Sequence, residues 1–203
     1  MKSHLTLAAL IILMGCSSSP LPRTYVLSAP ADPVVGVHNE AGRPVVELPT
    51  VSLPDYLDSS DILLRDGRNE LKASPTGHWG ERLSVGVTHA LEASLARRLP
   101  DVLVTHASVS GQPALRLLVD VEAFDVQPDG RCVLTARWTI PGDEGQAAAI
   151  AQRGTFVTLA GPAAPGATGP LADGAIVSAM AAAIDQLADR IAVSLRRSAP
   201  RHR

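Results

Sequence analysis

The chain has 203 residues, of which 46% are hydrophobic, 19% charged and only 3% aromatic, with a formal charge of -2. Its length amounts to one domain, long enough to bury roughly 70% of its unfolded surface without disulfide or metal staples. The near-neutral balance offers no strongly basic face, which argues against nucleic acid as a partner. With so few aromatic residues, Ala, Val and Leu must build the core.

In chain order, Lys2 supplies a positive charge and Leu5 to Met14 an apolar run that ends at Gly15-Cys16. Charge, apolar run and small residue in that order make an export signal. The run is about half the ~20 residues that a membrane helix needs. Leu13-Met14-Gly15-Cys16 resembles the lipobox of bacterial lipoproteins. That resemblance implies cleavage before Cys16, diacylglycerol on its thiol and acylation of the new N-terminus. Residues 1–15 are then a lipoprotein signal peptide, 16–22 the lipidated cysteine with a Ser/Pro-rich tether, and 23–203 the domain. One acyl chain binds a membrane marginally and each buried CH₂ adds about 0.8 kcal/mol, so two or three chains hold a domain durably. Ser17 stands where inner-membrane lipoproteins of Gram-negative bacteria tend to carry Asp, so the resemblance points to the periplasmic face of the outer membrane. The other reading is an ordinary signal peptide with an incidental Cys16. With Cys16 lipidated, Cys132 has no partner in the chain and is expected to be a small buried residue in a strand.

Thr24 to Ser28 is a short strand with Tyr25 and Leu27 on one face and Val26 on the other. Pro30 to Gly42 is a loop. Pro44 to Leu53 reads as an edge or bulged strand, because Pro49 and Pro54 interrupt its ladder. Ile62 to Leu64 and Glu70 to Ala73 are strands about an Asp66-Gly67 turn. Leu83, Val87, Ala90, Leu91, Leu95 and Leu99 recur at helical steps, predicting a helix from His78 to Leu99 that Pro100 ends. Asp101 to Thr105 is a buried-type strand. Ala114 to Val126 is a long strand whose Leu115, Leu117, Val119, Val121 and Ala123 point one way. Pro128-Asp129-Gly130 turns it into Arg131 to Ile140, and Pro141-Gly142-Asp143 turns that into Ala149 to Ala160. Gly161 to Pro170 is a surface loop. Leu171 to Arg197 is a second helix with Ile176, Met180, Ile184, Leu187, Ile191 and Leu195 as its apolar stripe. The expected fold is α+β: a mostly antiparallel sheet packed on two long amphipathic helices in two layers.

Catalytic chemistry has no local support. His38, His78, His89 and His106 stand apart, without a His-x-x-x-His pair or a carboxylate at ligand spacing. There is no Gly-x-Ser-x-Gly elbow and no Gly-x-x-x-x-Gly-Lys phosphate loop. No catalytic residue, metal or cofactor is expected, and the chain is read as no enzyme. The leucine stripes read as core first and as a lipid groove second. Arg196 to Arg203 reads as a solvated tail, or as a contact to anionic headgroups worth about 1 kcal/mol per charge.

Val51-Ser52-Leu53-Pro54-Asp55-Tyr56-Leu57-Asp58 resembles the V-x-(V/L)-P-x-Y-L signature of the ABC-type transport auxiliary lipoproteins, the PqiC or YmbA-like family. Tyr25-Val26-Leu27, Trp79-x-Glu81-x-Leu83, Val121 to Phe124, Asp129-Gly130 and Leu134 to Trp138 resemble further pieces of that family in the same order. The resemblance implies a non-enzymatic outer-membrane lipoprotein that serves an MCE-type lipid transport system. Its partners would be the membrane through the N-terminal lipid, MCE-type and permease proteins, and further copies of itself in a ring. A structural or assembly lipoprotein without a transport role is the alternative. Pro54, Asp55, Tyr56, Leu57 and Trp79 are the candidate partner or lipid interface. The plainer reading of the same residues is a corner in which Pro54 fixes the turn, Asp55 caps it, Tyr56 packs on a helix and Trp79 anchors the helix start. Cys16→Ser should leave the chain soluble in the periplasm or unprocessed, and intact-mass measurement of the native N-terminus should show acyl chains on Cys16; an unmodified Cys16 would refute the lipid reading.

Overall fold

A computed structural model of the chain describes residues 21–27, 42–107, 114–141, 150–161 and 171–198. Cys16, Ser17, His38, most of the loops at 30–42 and 161–170, the turn after Pro141 and the tail from Arg201 to Arg203 lie outside the described residues.

Strands β7 (Leu118–Val126), β8 (Arg131–Ile140) and β9 (Ile150–Leu159) form an antiparallel meander. A pleated strand sends every second side chain to the same face, and Cys132, Leu134, Ala136, Trp138 and Ile140 of β8 are all buried. In β7 the alternation slips. Val119 and Val121 are buried, then Phe124 and Val126, because the register against β8 shifts between Val121 and Ala123. The extra residue turns the rest of the strand over, so Phe124 takes the inward place that simple alternation gives to Ala123. Gln127 to Gly130 makes the β7–β8 turn, with Gly130 N–H donating to the Gln127 carbonyl at 2.9 Å and Gly130 at φ +84°.

Strands β3 (Asp61–Arg65) and β4 (Leu71–Trp79) form a hairpin around residues 66–70, with Gly67 at φ +82°. Strand β4 runs on through His78 and Trp79, where the sequence suggests a helix. Those two residues pair with Thr24 and Tyr25 of β1 (Arg23–Tyr25), and His78 also pairs with Asp61. Gly80 N–H then donates to the Tyr25 carbonyl. Pro75 sits where the ladder to β3 is broken, between Ala73 and His78, so its missing N–H costs no pairing.

Two parallel pairings correct the expectation of a mostly antiparallel sheet. β1 joins β4 in parallel and β3 joins β7 in parallel at Leu64 and Val126, giving a mixed six-stranded sheet of order β1-β4-β3-β7-β8-β9. Parallel neighbours need a crossover, and the chain between β4 and β7 supplies one to β3. A second, all-parallel sheet consists of β2 (Val45–Glu47) between β5 (Leu103–Thr105) and β6 (Ala114–Arg116). The segment expected as an edge strand is thus central at its start, and Pro49 follows the paired residues.

The helices are unequal: α1 (Leu83–Arg98) has 16 residues and α2 (Asp173–Ser198) has 26, so only the second is long. Helix α2 covers the inner face of β8 and β9, while α1 packs on α2 and β5. Both predicted stripes are buried, and Ala179, Ala183, Ala188 and Ala192 let α2 lie close to its neighbours.

Gly130 and Gly67 share a left-handed backbone but differ in surroundings. A Cβ on Gly130 would stand 2.8 Å from the Ala160 carbonyl oxygen, whereas one on Gly67 would meet nothing within 4 Å. Gly130→Ala should therefore cost about 2–3 kcal/mol and Gly67→Ala about 1 kcal/mol, read in a thermal melt as about 2–4 °C per kcal/mol for this size.

Candidate functional site

The segment carrying Pro54 to Asp58 departs from a long pairing. Strand β2 runs parallel to β6, Leu117 N–H donates to the Glu47 carbonyl, and Ser52 forms a parallel bridge with Asp120. Strand β3 then resumes along the same edge at Leu64 and Val126. From Ser52 to Leu64 the chain advances twelve residues, while its partner advances six from Asp120 to Val126. The surplus loops out as the corner.

Three contacts clasp this corner. Val51 N–H donates to Thr88 Oγ1 at 2.9 Å inside the protein, and the Thr88 hydroxyl donates to the Ser84 carbonyl at 2.7 Å. Leu57 N–H closes the turn on the Pro54 carbonyl at 2.9 Å. Asp58 then caps α1: its Oδ1 accepts from Ser84 N–H at 3.0 Å and its Oδ2 from Arg82 at 2.5 Å. The N-cap residue Arg82 has no capping side chain of its own, so Asp58 satisfies an amide that would otherwise be orphaned. Burial pushes the Asp58 carboxyl up, but its bonds to Ser84 and Arg82 outweigh that and hold it below its ordinary range.

Leu57 and Trp79 are core residues, 3% and 5% exposed, so neither offers surface to a partner. Asp55, expected to cap the turn, is exposed and its carbonyl accepts from Asp58 N–H at 3.3 Å, whereas the cap of α1 comes from Asp58. Tyr56 is 44% exposed. It lies beside Arg65, whose guanidinium donates to Asp125 Oδ1 at 2.9 Å. Partial burial raises the Tyr56 hydroxyl pKa, Asp125 adds to the rise, and Arg65 opposes it. Asp55 and Tyr56, with the partly exposed Pro54, are the part of the predicted interface that remains accessible.

Nearby on the solvent face of the sheet, Pro49, Ser52, Leu118, Asp120, Arg137 and Thr139 line an open groove of about 340 Å³. Glu122 accepts from Arg153 at 2.7 Å and Arg137 at 2.9 Å, and the two cations hold its carboxyl below its usual range.

The fold brings together two histidines that are separate in sequence. The His89 and His106 rings lie 5.3 Å apart, with Glu81 Oε2 3.4 Å from His89 Nδ1 and Glu92 Oε2 2.6 Å from His106 Nδ1. Only the tertiary return of residue 106 onto α1 makes this pairing, so no local spacing signals it. Among the described residues no three His, Cys, Asp or Glu side chains are placed to hold a metal. No buried side-chain nitrogen or oxygen among them lacks a hydrogen-bond partner. Cys132 is buried, and desolvation pushes its thiol up to about 11 against a bond with Thr158. Such a thiol is a packing group, not a nucleophile.

Two solved structures share this two-layer fold. One, an uncharacterized protein, is 19% identical with a TM-score of 0.69, and the match covers 87% of this chain and 99% of that one. The other, a DUF330 protein from Xanthomonas campestris, is 12% identical with a TM-score of 0.59, covering 77% and 85%. No curated protein matches the chain by sequence. The sequence pattern of the ABC-type transport auxiliary lipoprotein component matches residues 25–192. The chain belongs to that family of auxiliary lipoprotein components of ABC-type transport.

Because the folded Asp58 pKa lies below its unfolded value of about 4, its stabilisation is present above that value and lost as pH falls through the lowered one. Asp58→Asn should lower stability at neutral pH by about 1 kcal/mol. It should also flatten the decline below pH ~4 in urea unfolding; equal acid sensitivity in both proteins would remove Asp58 from this role.

Proposed function

We propose that the chain is the outer-membrane-anchored lipoprotein of an MCE-type, ABC-associated system that moves lipid across the envelope. It acts by docking, with Cys16 as the anchor, and it works beside MCE-type and permease partners, assembled with further copies of itself. The observation that carries this reading is the family match from residue 25 to 192, nearly the whole of the domain behind the lipobox. One feature supports a docking role. The Tyr56 corner presents a half-exposed amphipathic ring beside the Arg65–Asp125 ion pair. A ring with one polar end suits a protein interface.

Two measurements test the reading. Affinity purification from cross-linked envelopes should recover an MCE-type protein and a permease subunit; recovery of neither from envelopes rich in the chain would overturn it. Ser17→Asp should shift the lipoprotein from the outer-membrane to the inner-membrane fraction on a density gradient, and an unmoved variant would remove the sorting argument.

A further inference from the structure

The domain has two unlike poles, and the tether enters near one of them. The β3–β4 turn, the β7–β8 turn and the end of β9 share a pole: Leu64 pairs with both Lys72 and Val126, Val126 with Cys132, and Cys132 with Thr158. Helix α2 starts there, since a Cβ on Gly130 would stand 3.5 Å from Leu171. The helix then runs antiparallel to β9. The Thr158 hydroxyl donates to the Ala179 carbonyl at 2.6 Å, and the Ser194 hydroxyl donates to Gln152 at 3.2 Å. At 1.5 Å per residue, Arg197 lies about 36 Å along the helix from Asp173.

Strand β1 fixes where the tether arrives. It is parallel to β4 with Arg23 opposite Gly77, so residues before Arg23 leave on the side from which β4 begins, the side of the turns. Gly77 lies against Asp173 at the start of α2, and the Thr76 hydroxyl donates to that carboxylate at 2.7 Å. The seven residues from Cys16 to Arg23 span at most about 25 Å fully extended.

We propose that the pole bearing the two turns and the start of α2 is a bilayer-facing surface, with the arginine-rich end of α2 directed away from the anchoring membrane. The inference rests on the reading of Cys16 as lipidated. The surface chemistry fits phospholipid headgroups. Leu21 is 90% and Leu159 70% exposed at the two edges of the sheet, Arg23 follows Leu21 by two residues, and Arg68 is an exposed cation in the β3–β4 turn. Apolar side chains next to long cations suit the boundary between headgroups and acyl chains. Lys72 is shared by Asp66 and Glu70 and Arg131 pairs with Asp129, and Arg23 and Arg68 offset the remaining carboxylate, so the pole carries no excess of negative charge to repel an anionic leaflet. The rival surface is the end of α2, where Arg190, Arg196 and Arg197 are exposed. It has more cations, but its distance from the tether places it on the far side.

The test places a fluorophore on full-length, processed lipoprotein at Arg68→Cys or at Arg197→Cys. Both positions are exposed and Cys132 is buried, so labelling is selective. The labelled proteins are reconstituted in phosphatidylethanolamine vesicles with phosphatidylglycerol as the minor lipid and a headgroup quencher. Equal melting temperatures of both variants and the parent confirm the fold, and intact mass reports the acyl chains. The label at position 68 should be quenched several-fold more strongly than that at 197. Equal quenching, or stronger quenching at 197, in acylated protein would overturn the orientation. An N-terminus without acyl chains would instead overturn the anchor reading, and the orientation with it.

Discussion

The fold depends on how one long strand is partnered. Residues 114–126 form β6 and β7, and β8 occupies one edge of β7 through an unbroken run of cross-strand contacts apart from a single bulge. The other edge is covered by a strand in three pieces, β2, the bridge at Ser52 and β3, all parallel to it. An uncovered edge would leave a row of amides and carbonyls without partners. The corner between the second and third pieces lets one stretch of chain serve that edge and reach α1 as well. Val51 N–H on Thr88 and Ser84 N–H on Asp58 bind helix to strand by hydrogen bonds that water cannot replace at the buried end.

That geometry gives the run from Val51 to Asp58 a physical content. Val51 and Leu57 enter the core, Asp58 caps a helix, and Pro54 supplies the carbonyl that closes the turn. These positions hold architecture. Tyr56 differs, because it stands half out of the surface against the Arg65–Asp125 pair. A motif found in sequence is therefore in large part a folding clasp, with Asp55 and Tyr56 left at the surface.

Much of this was legible in the residues. The leucine and isoleucine stripes of both helices and the first half of the alternation in residues 114–126 place the core correctly, because period decides which side chains share a face. The helical stripe starts too early at His78 and Trp79, because their pairing to β1 and β3 depends on distant segments that the local spacing does not show. The parallel pairings were hidden for a related reason: β1, β2, β5 and β6 are three residues each and carry no periodic signal. The inward turn of Phe124 needed the bulge, which depends on the partner strand. His89 and His106 met only through the path of the chain between α1 and β5.

The arginine-rich end of the helices has a cause within the fold. Ser94 and Arg98 of α1 meet Asp185 and Asp189 of α2 in the same order along both helices, so the two run parallel and end at one pole. Parallel helices set their negative C-terminal ends side by side, an arrangement that repels unless cations offset it. Arg97 and Arg98 lie in the last turn of α1, and Arg196 and Arg197 in the last turn of α2. Arg196 donates to the Arg98 carbonyl at 2.7 Å, a helix-end acceptor that has no partner within its own helix. The concentration of positive charge thus follows from packing two helices in the same direction, and an anionic membrane is not needed to account for it. The cations are then the expected consequence of two helix C-termini meeting at the end of α2 opposite Asp173.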